Sequence, residues 1–116
     1  KVGLLDTNFF MYYEDCDLCR RAIEAGYELY FVPKSRIWHR VASGTQGNEW
    51  RRWCYYIASM YYFYRKYGRL GKPGALIATM STLAGIMWEE IRKGNVRWLG
   101  YPLKALYRWL LNRKSE

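Results

Sequence analysis

Phe9-Phe10-Met11-Tyr12-Tyr13-Glu14-Asp15-Cys16-Asp17-Leu18-Cys19-Arg20-Arg21-Ala22-Ile23-Glu24-Ala25-Gly26-Tyr27 is the stretch on which the reading of the fold turns. Its first five residues are an apolar run, expected to be buried, that leads straight into acids. From Glu14 to Ala25 the period becomes helical, with Cys16, Leu18, Cys19, Ala22, Ile23 and Ala25 as an apolar stripe expected to face the core. Glu14, Asp15 and Asp17 fill the first turn and Arg20 and Arg21 follow, an order that suits the helix dipole. Asp17 and Arg21, four residues apart, are expected to form a structural ion pair. Gly26 is the stop signal.

Upstream, Asp6-Thr7-Asn8 reads as a turn. Downstream, Glu28-Leu29-Tyr30-Phe31-Val32 is a β-rich segment closed by Pro33, and Arg36-Ile37-Trp38-His39 is a second extended piece. A short strand pair is therefore expected between Tyr27 and His39, followed by a loop from Ser43 to Asn48. The chain then changes character. Glu49 to Tyr67 places Trp50, Trp53, Cys54, Ile57, Met60, Tyr61 and Tyr64 at helical spacing, until Gly68, Gly71, Pro73 and Gly74 break it. Ala75 to Ile91 makes the next helix, and Gly94-Asn95 breaks again. Val96 to Leu111 gives the last one, kinked or restarted at Pro102. The expected class is α+β, mostly helical, with a short strand pair and about four helices. It divides into residues 1–48 and a helical, basic-aromatic extension over residues 49–116.

A chain of 116 residues is the size of one ordinary domain and can bury a core without disulfide or metal staples. Cys16, Cys19 and Cys54 make an odd count that fits a reducing compartment better than a disulfide scaffold. Cys16-x-x-Cys19 lacks a second ligand pair, so packing is the expected role of these cysteines. The longest uncharged run, Pro73 to Trp88, is shorter than the ~20 residues of a membrane-spanning helix. The formal net charge is +9, and its placement is informative. Acids and bases cancel through Asn48, so the whole excess lies between Glu49 and Glu116. A neutral first part and a basic, aromatic second part suggest chemistry in the first and an anionic surface for the second.

The quoted stretch resembles the aromatic-aromatic, Glu-Asp-x-Asp-Leu, Arg, Gly-Tyr signature of family 2 (GT-A type) glycosyltransferases, in particular their rhamnosyltransferase-like branch. The likeness continues through Val32-Pro33, the segment ending in His39 and the Ser43-Gly44 loop. It is most specific from Asp6 to Gly44. Arg97-Trp98-Leu99-Gly100-Tyr101 and the amphipathic end are similar in style to the tails of such enzymes.

The resemblance implies a transferase that moves a sugar from a nucleotide-diphospho-sugar to a polysaccharide or lipid-linked acceptor with inversion. It makes Asp15 the catalytic base that deprotonates the acceptor hydroxyl, and Glu14 the acid that positions the acceptor. A carboxylate at the first turn of a helix is rigidly mounted and faces backbone N–H groups that lack helical partners, which suits a base. His39 matches a histidine that completes the coordination of a divalent metal, Mn²⁺ or Mg²⁺. The family's separate Asp-x-Asp metal motif is not found, since Asp15-Cys16-Asp17 belongs to the signature itself. The chain, starting at Lys1, is accordingly expected to be the C-terminal fragment of a longer enzyme. Most of the donor site would lie in a preceding half, and the fragment alone would be inactive with no metal bound.

Three partners suit the basic extension. At a membrane surface, Trp98, Leu99, Leu103, Leu106, Tyr107, Leu110 and Leu111 would supply apolar contact. Arg97, Lys104, Arg108, Arg113 and Lys114 would meet anionic lipid, with Trp109 among the interfacial candidates. A lipid-linked acceptor would place such an enzyme peripherally on the cytoplasmic face of the membrane. Nucleic acid could also be bound by bases interleaved with aromatics, but no nucleic-acid motif is present and many of the aromatics fall on stripes expected to be buried. A structural role, covering the rest of the enzyme or a second copy of the chain, would make the fragment self-associate. The non-enzymatic alternative is a membrane-surface or nucleic-acid binding module.

Overall fold

Residues 2–38 and 49–112 are described by a computed structural model. Their elements are helix α1 (Glu14–Glu24), α2 (Glu49–Tyr67), α3 (Gly71–Arg92), a 3₁₀ turn (Val96–Leu99) and α4 (Gly100–Asn112). The hub is α2. Its Ile57, Met60, Tyr61 and Tyr64 recur at the three- and four-residue spacing that lines one side of a helix. Ile57 and Met60 are fully buried and form one cluster with Leu83 of α3 and Ala105 of α4. Burying an Ile or Met side chain contributes ~1.5–3 kcal/mol, so these contacts hold α3 and α4 to α2. Tyr61 meets Trp109 edge-on at 5.1 Å, and the Tyr64 hydroxyl lies 3.1 Å from Thr82 Oγ1. Thr79, also fully buried, satisfies its hydroxyl by donating to the Ala75 carbonyl at 2.7 Å.

One helix starts earlier than the glycines and prolines suggest, and another restarts at its proline as read. Helix α3 begins at Gly71, not Ala75, because Pro73 sits in its first turn, where the missing N–H has no helical partner to lose. Pro102 occupies the same turn of α4, so that helix restarts at Gly100 after the 3₁₀ turn. Helix α1 ends as expected. Gly26 adopts φ 85°, its N–H bonds the Ile23 carbonyl, and the Tyr27 N–H bonds that of Ala22.

The expected strand pair is not formed. Residues 27–38 make no ladder and turn at Pro33-Lys34, and no strand occurs among the described residues. The segment is closed locally by the Ser35 N–H on the Val32 carbonyl at 3.0 Å and by the Tyr30 hydroxyl on Glu28. Phe31 is 90% exposed and Trp38 fully so. β-Rich composition favours an extended backbone, but a strand requires a partner for its backbone groups, and none of the described residues supplies one. His39 and the 43–48 loop lie outside the described residues.

Helix α1 also turns its other side inward. Cys16, Cys19 and Ile23 of the expected core stripe are exposed, whereas Asp17 is fully buried. Of the apolar run before it, Phe9 is buried and Phe10 is exposed. No described helix is long and apolar enough to cross a membrane.

Candidate active site

The face that α1 presents to α2 is charged. Asp17 Oδ1 accepts from Lys66 Nζ at 2.6 Å and from the Tyr67 hydroxyl at 2.7 Å, and Oδ2 accepts from Arg21 Nε at 2.8 Å. The expected Asp17–Arg21 pair is thus one edge of a larger network. Arg21 also donates to the carbonyls of Val2 and Leu4, tying the start of the chain to α1. Lys66 reaches Asp6 Oδ2 at 2.7 Å, and Asp6 Oδ1 accepts from the Asn8 backbone and side chain at 3.0 and 2.8 Å. A carboxylate this buried is tolerated because its acceptor sites are met by charged or hydroxyl donors.

Titration follows this wiring. Lys66 and Asn8 hold the Asp6 carboxyl well below the usual carboxylate range. Burial works against ionisation of Asp17, but the bonds from Lys66, Tyr67 and Arg21 outweigh it and keep its carboxyl low. Burial likewise opposes the Lys66 ammonium, yet Asp17 and Asp6 raise it above the ordinary lysine value.

Asp15 faces the other way. It is exposed on the first turn of α1, and the Cys16 N–H donates to its Oδ1 at 2.8 Å. The neighbouring Glu14 is half-buried, and its Oε2 is buried without a hydrogen-bond donor among the described residues. The three acids of one helical turn therefore have three environments: Asp17 is saturated, Glu14 carries an unmet acceptor and Asp15 is open. Because Asp15 and Asp17 point to opposite sides of α1, their two-residue spacing cannot clasp one cation. No group of three or more His, Cys, Asp or Glu able to hold a metal occurs among the described residues, and His39 lies outside them.

The acid pair is mounted on a strained backbone. Tyr12 and Tyr13, immediately before Glu14, adopt left-handed φ values of 70° and 65°. A left-handed residue other than glycine costs ~1–2 kcal/mol, so two in succession need outside support. Helix α2 provides it. Ser59 Oγ donates to the Met11 carbonyl at 2.8 Å, Tyr12 packs on Tyr56 at 5.5 Å, and Tyr13 packs on Tyr56 and Phe63 at 5.7 and 5.2 Å. Burial, with help from the Tyr56 and Tyr64 hydroxyls, drives the Tyr13 phenol far above its ordinary pKa. An open cleft of about 220 Å³ is lined by Tyr12, Arg52, Trp53, Tyr56 and Ile86.

The residues singled out for the basic extension separate into two settings. Trp109 packs against the core through Tyr61, and Lys104 and Arg108 lie over the Trp50 ring at 5.5 and 5.2 Å. Arg97 and Trp98 sit in the preceding 3₁₀ turn, where Trp98 contacts Tyr101 at 5.7 Å. Sequence reasoning missed Lys66, Tyr67 and Asp6 as partners of Asp17, the left-handed tyrosines, and Trp50 as a platform for cations. Lys66 and Tyr67 stand about fifty residues from Asp17 in the chain, and no local spacing signals that contact.

An open carboxylate braced at a helix start beside an under-satisfied one suits a protein that accepts a proton from a bound hydroxyl. A family model for glycosyl transferase family group 2 matches residues 1–112, and the chain belongs to that family. No curated protein and no solved structure matches significantly.

Proposed function

We propose that this chain is the base-bearing, acceptor-side part of an inverting, GT-A type sugar transferase of the rhamnosyltransferase-like kind. It uses a nucleotide-diphospho-sugar and a polysaccharide or lipid-linked acceptor. The observation that carries the reading is the split among the α1 acids: Asp17 is consumed by structure, while Asp15 is left open beside Glu14.

In the proposed reaction the acceptor hydroxyl oxygen attacks the anomeric carbon. The bond from that carbon to the diphosphate oxygen breaks, and its electron pair leaves with the nucleoside diphosphate. The hydroxyl proton passes to an Asp15 carboxylate oxygen. Glu14, beside it, positions the acceptor and so fixes which hydroxyl approaches Asp15. The donor is held mostly by residues other than these, with Mn²⁺ or Mg²⁺ and His39 among its ligands. The described residues do not form that metal site by themselves.

A peripheral position on the cytoplasmic face of a membrane, where a lipid-linked acceptor would be met, is part of this proposal, and the basic, aromatic extension supports it. Asp15→Asn in an enzyme that carries this chain and its donor site is expected to abolish transfer while nucleotide-sugar binding persists. Retained turnover would remove Asp15 as the base.

A further inference from the structure

Between α2 and α4 lies an open cleft of about 280 Å³ whose lining includes Trp50, Arg51, Tyr55, Arg108 and Trp109. Lys104 Nζ and the Arg108 guanidinium both stand over the Trp50 ring. Several cations elsewhere are paired: Arg20 with Glu24, Arg21 and Lys66 with Asp17, Arg52 with Glu49, Arg92 with Glu89 and Lys93 with Glu90. Among the described residues Arg51, Lys104 and Arg108 have no carboxylate partner. Lys34, Arg36, Arg65, Arg69, Lys72 and Arg97 also lack one among the described residues, but none of them lines this cleft. Arg51 and Arg108 thus line one aromatic cleft, and Lys104 stands beside it over the Trp50 ring, with their N–H donors free for an anion.

Helix α4 explains what kind of anion fits. It has three sectors. Pro102 and Ala105 are buried, with Leu106 and Trp109 packed near them. Lys104 and Arg108 form a second row, one turn apart. One residue before each, about 100° around the helix, stand Leu103 and Tyr107, which with Leu110 and Leu111 make an exposed apolar sector. A free phosphate would use the cations and leave that sector in water. A phosphodiester attached to acyl chains uses both, and aromatic rings with one apolar and one polar end suit that boundary.

We infer that the α2–α4 cleft is a headgroup site for an anionic phospholipid. Lys104, Arg108 and Arg51 hold the phosphate against Trp50, and the Leu103–Tyr107–Leu110 sector rests in the acyl boundary. The inference rests on the peripheral membrane placement proposed above and gives it a specific site.

The test is co-sedimentation of the full chain with phosphatidylcholine vesicles and with vesicles carrying three parts in ten phosphatidylglycerol. The wild-type chain is expected to bind the anionic vesicles selectively. Lys104→Ala with Arg108→Ala should weaken that binding about thirtyfold, at about fivefold for each cation near the surface. The charge-matched control, Arg69→Ala with Lys72→Ala, should lose far less. Equal losses for the two pairs would overturn the headgroup site and leave a diffuse membrane attraction standing. Failure of the wild-type chain to bind either vesicle would remove the membrane placement, and the site with it. Inorganic phosphate that saturates a Trp50 indole shift at low millimolar concentration and displaces vesicles would reassign the cleft to free phosphate. A single-stranded oligonucleotide that displaces vesicles, with binding lost in the same variant pair, would reassign it to nucleic acid. Both results would overturn the lipid assignment. All four side chains are solvent-exposed, so unchanged helicity by circular dichroism is expected for both pairs.

Discussion

Asp17→Asn is the substitution from which the geometry yields the largest stability effect for the smallest change in shape. The carboxylate is fully buried and takes three side-chain hydrogen bonds, two of them from cations. An amide keeps one acceptor oxygen and turns an NH₂ donor toward either Lys66 or Arg21. Removing one partner of a fully buried ion pair costs ~3–5 kcal/mol. Here the stranded partners keep other bonds, Lys66 to Asp6 and Arg21 to the carbonyls of Val2 and Leu4, and both are partly exposed. The expected loss is therefore about 2–4 kcal/mol, a large share of the ~5–15 kcal/mol by which a domain is stable. With a urea dependence of ~1–2 kcal/mol per molar, the unfolding midpoint should fall by about 2 M. Urea titration at pH 7, followed by far-ultraviolet circular dichroism and tryptophan fluorescence, measures it. Asp15→Asn, in the same helical turn but exposed, is the control and should shift stability by less than about 0.5 kcal/mol. Equal midpoints for the two variants would refute the claim that the α1 acids divide into a structural and an open one.

Two further outcomes follow from the same geometry. Asp6 and Asp17 are held below the ordinary carboxylate value of 3.8, so their contribution is full above that pH and is lost as pH falls through their lower folded values. Lys66 is held above the ordinary 10.5, so its contribution is full below that pH and is lost as pH rises beyond it. Urea midpoints should therefore hold level from the ordinary carboxylate range up to pH 9.0. Above that pH the burial-raised Cys16 and Cys54 thiols, and then the Tyr13 phenol, oppose the folded state. Lys66→Met should lower the plateau and soften its acid edge. A midpoint that changes steeply near neutrality would contradict this wiring. Gly68→Ala should destabilise by at least about 1 kcal/mol, since its Cβ would lie 2.3 Å from the Tyr64 carbonyl oxygen, a backbone atom that cannot swing away. A thermal midpoint equal to that of the wild type would show the turn after α2 to be more yielding than its geometry indicates.

The helical half of the fold is legible in the sequence because its signals are local. The aromatic and apolar spacing from Trp50 to Tyr64 marks α2, and its bounds fall at Glu49 and Tyr67 as read. Gly26 ends α1 for the reason that makes glycine a stop signal, its left-handed backbone. Pro73 misleads because a proline breaks a helix interior yet fits a first turn, whereas the restart read at Pro102 matches the start of α4 at Gly100. The inward face of α1 is illegible for a different reason. Counting apolar residues selects Cys16, Cys19 and Ile23, whereas long-range charge pairing to Lys66 and Tyr67 selects Asp17 and Arg21. The strand pair expected between Tyr27 and His39 is not seen among the described residues, because β-rich residues favour extension without supplying a partner. Of the candidate site, the acid pair and its place at a helix start are readable. The left-handed tyrosines that brace it and the partnerless Glu14 oxygen emerge only from packing on α2.

The most direct test of the central claim compares Asp15→Asn, Glu14→Gln and the wild-type chain within an enzyme that includes its donor site. Sugar transfer is measured over a panel of nucleotide sugars with Mn²⁺, alongside nucleotide-sugar binding by calorimetry. A general base contributes ~10²–10⁴-fold to rate, so Asp15→Asn should lower kcat by at least that range with donor affinity unchanged, and Glu14→Gln should chiefly raise KM for the acceptor. Transfer by Asp15→Asn at the wild-type rate would contradict the account.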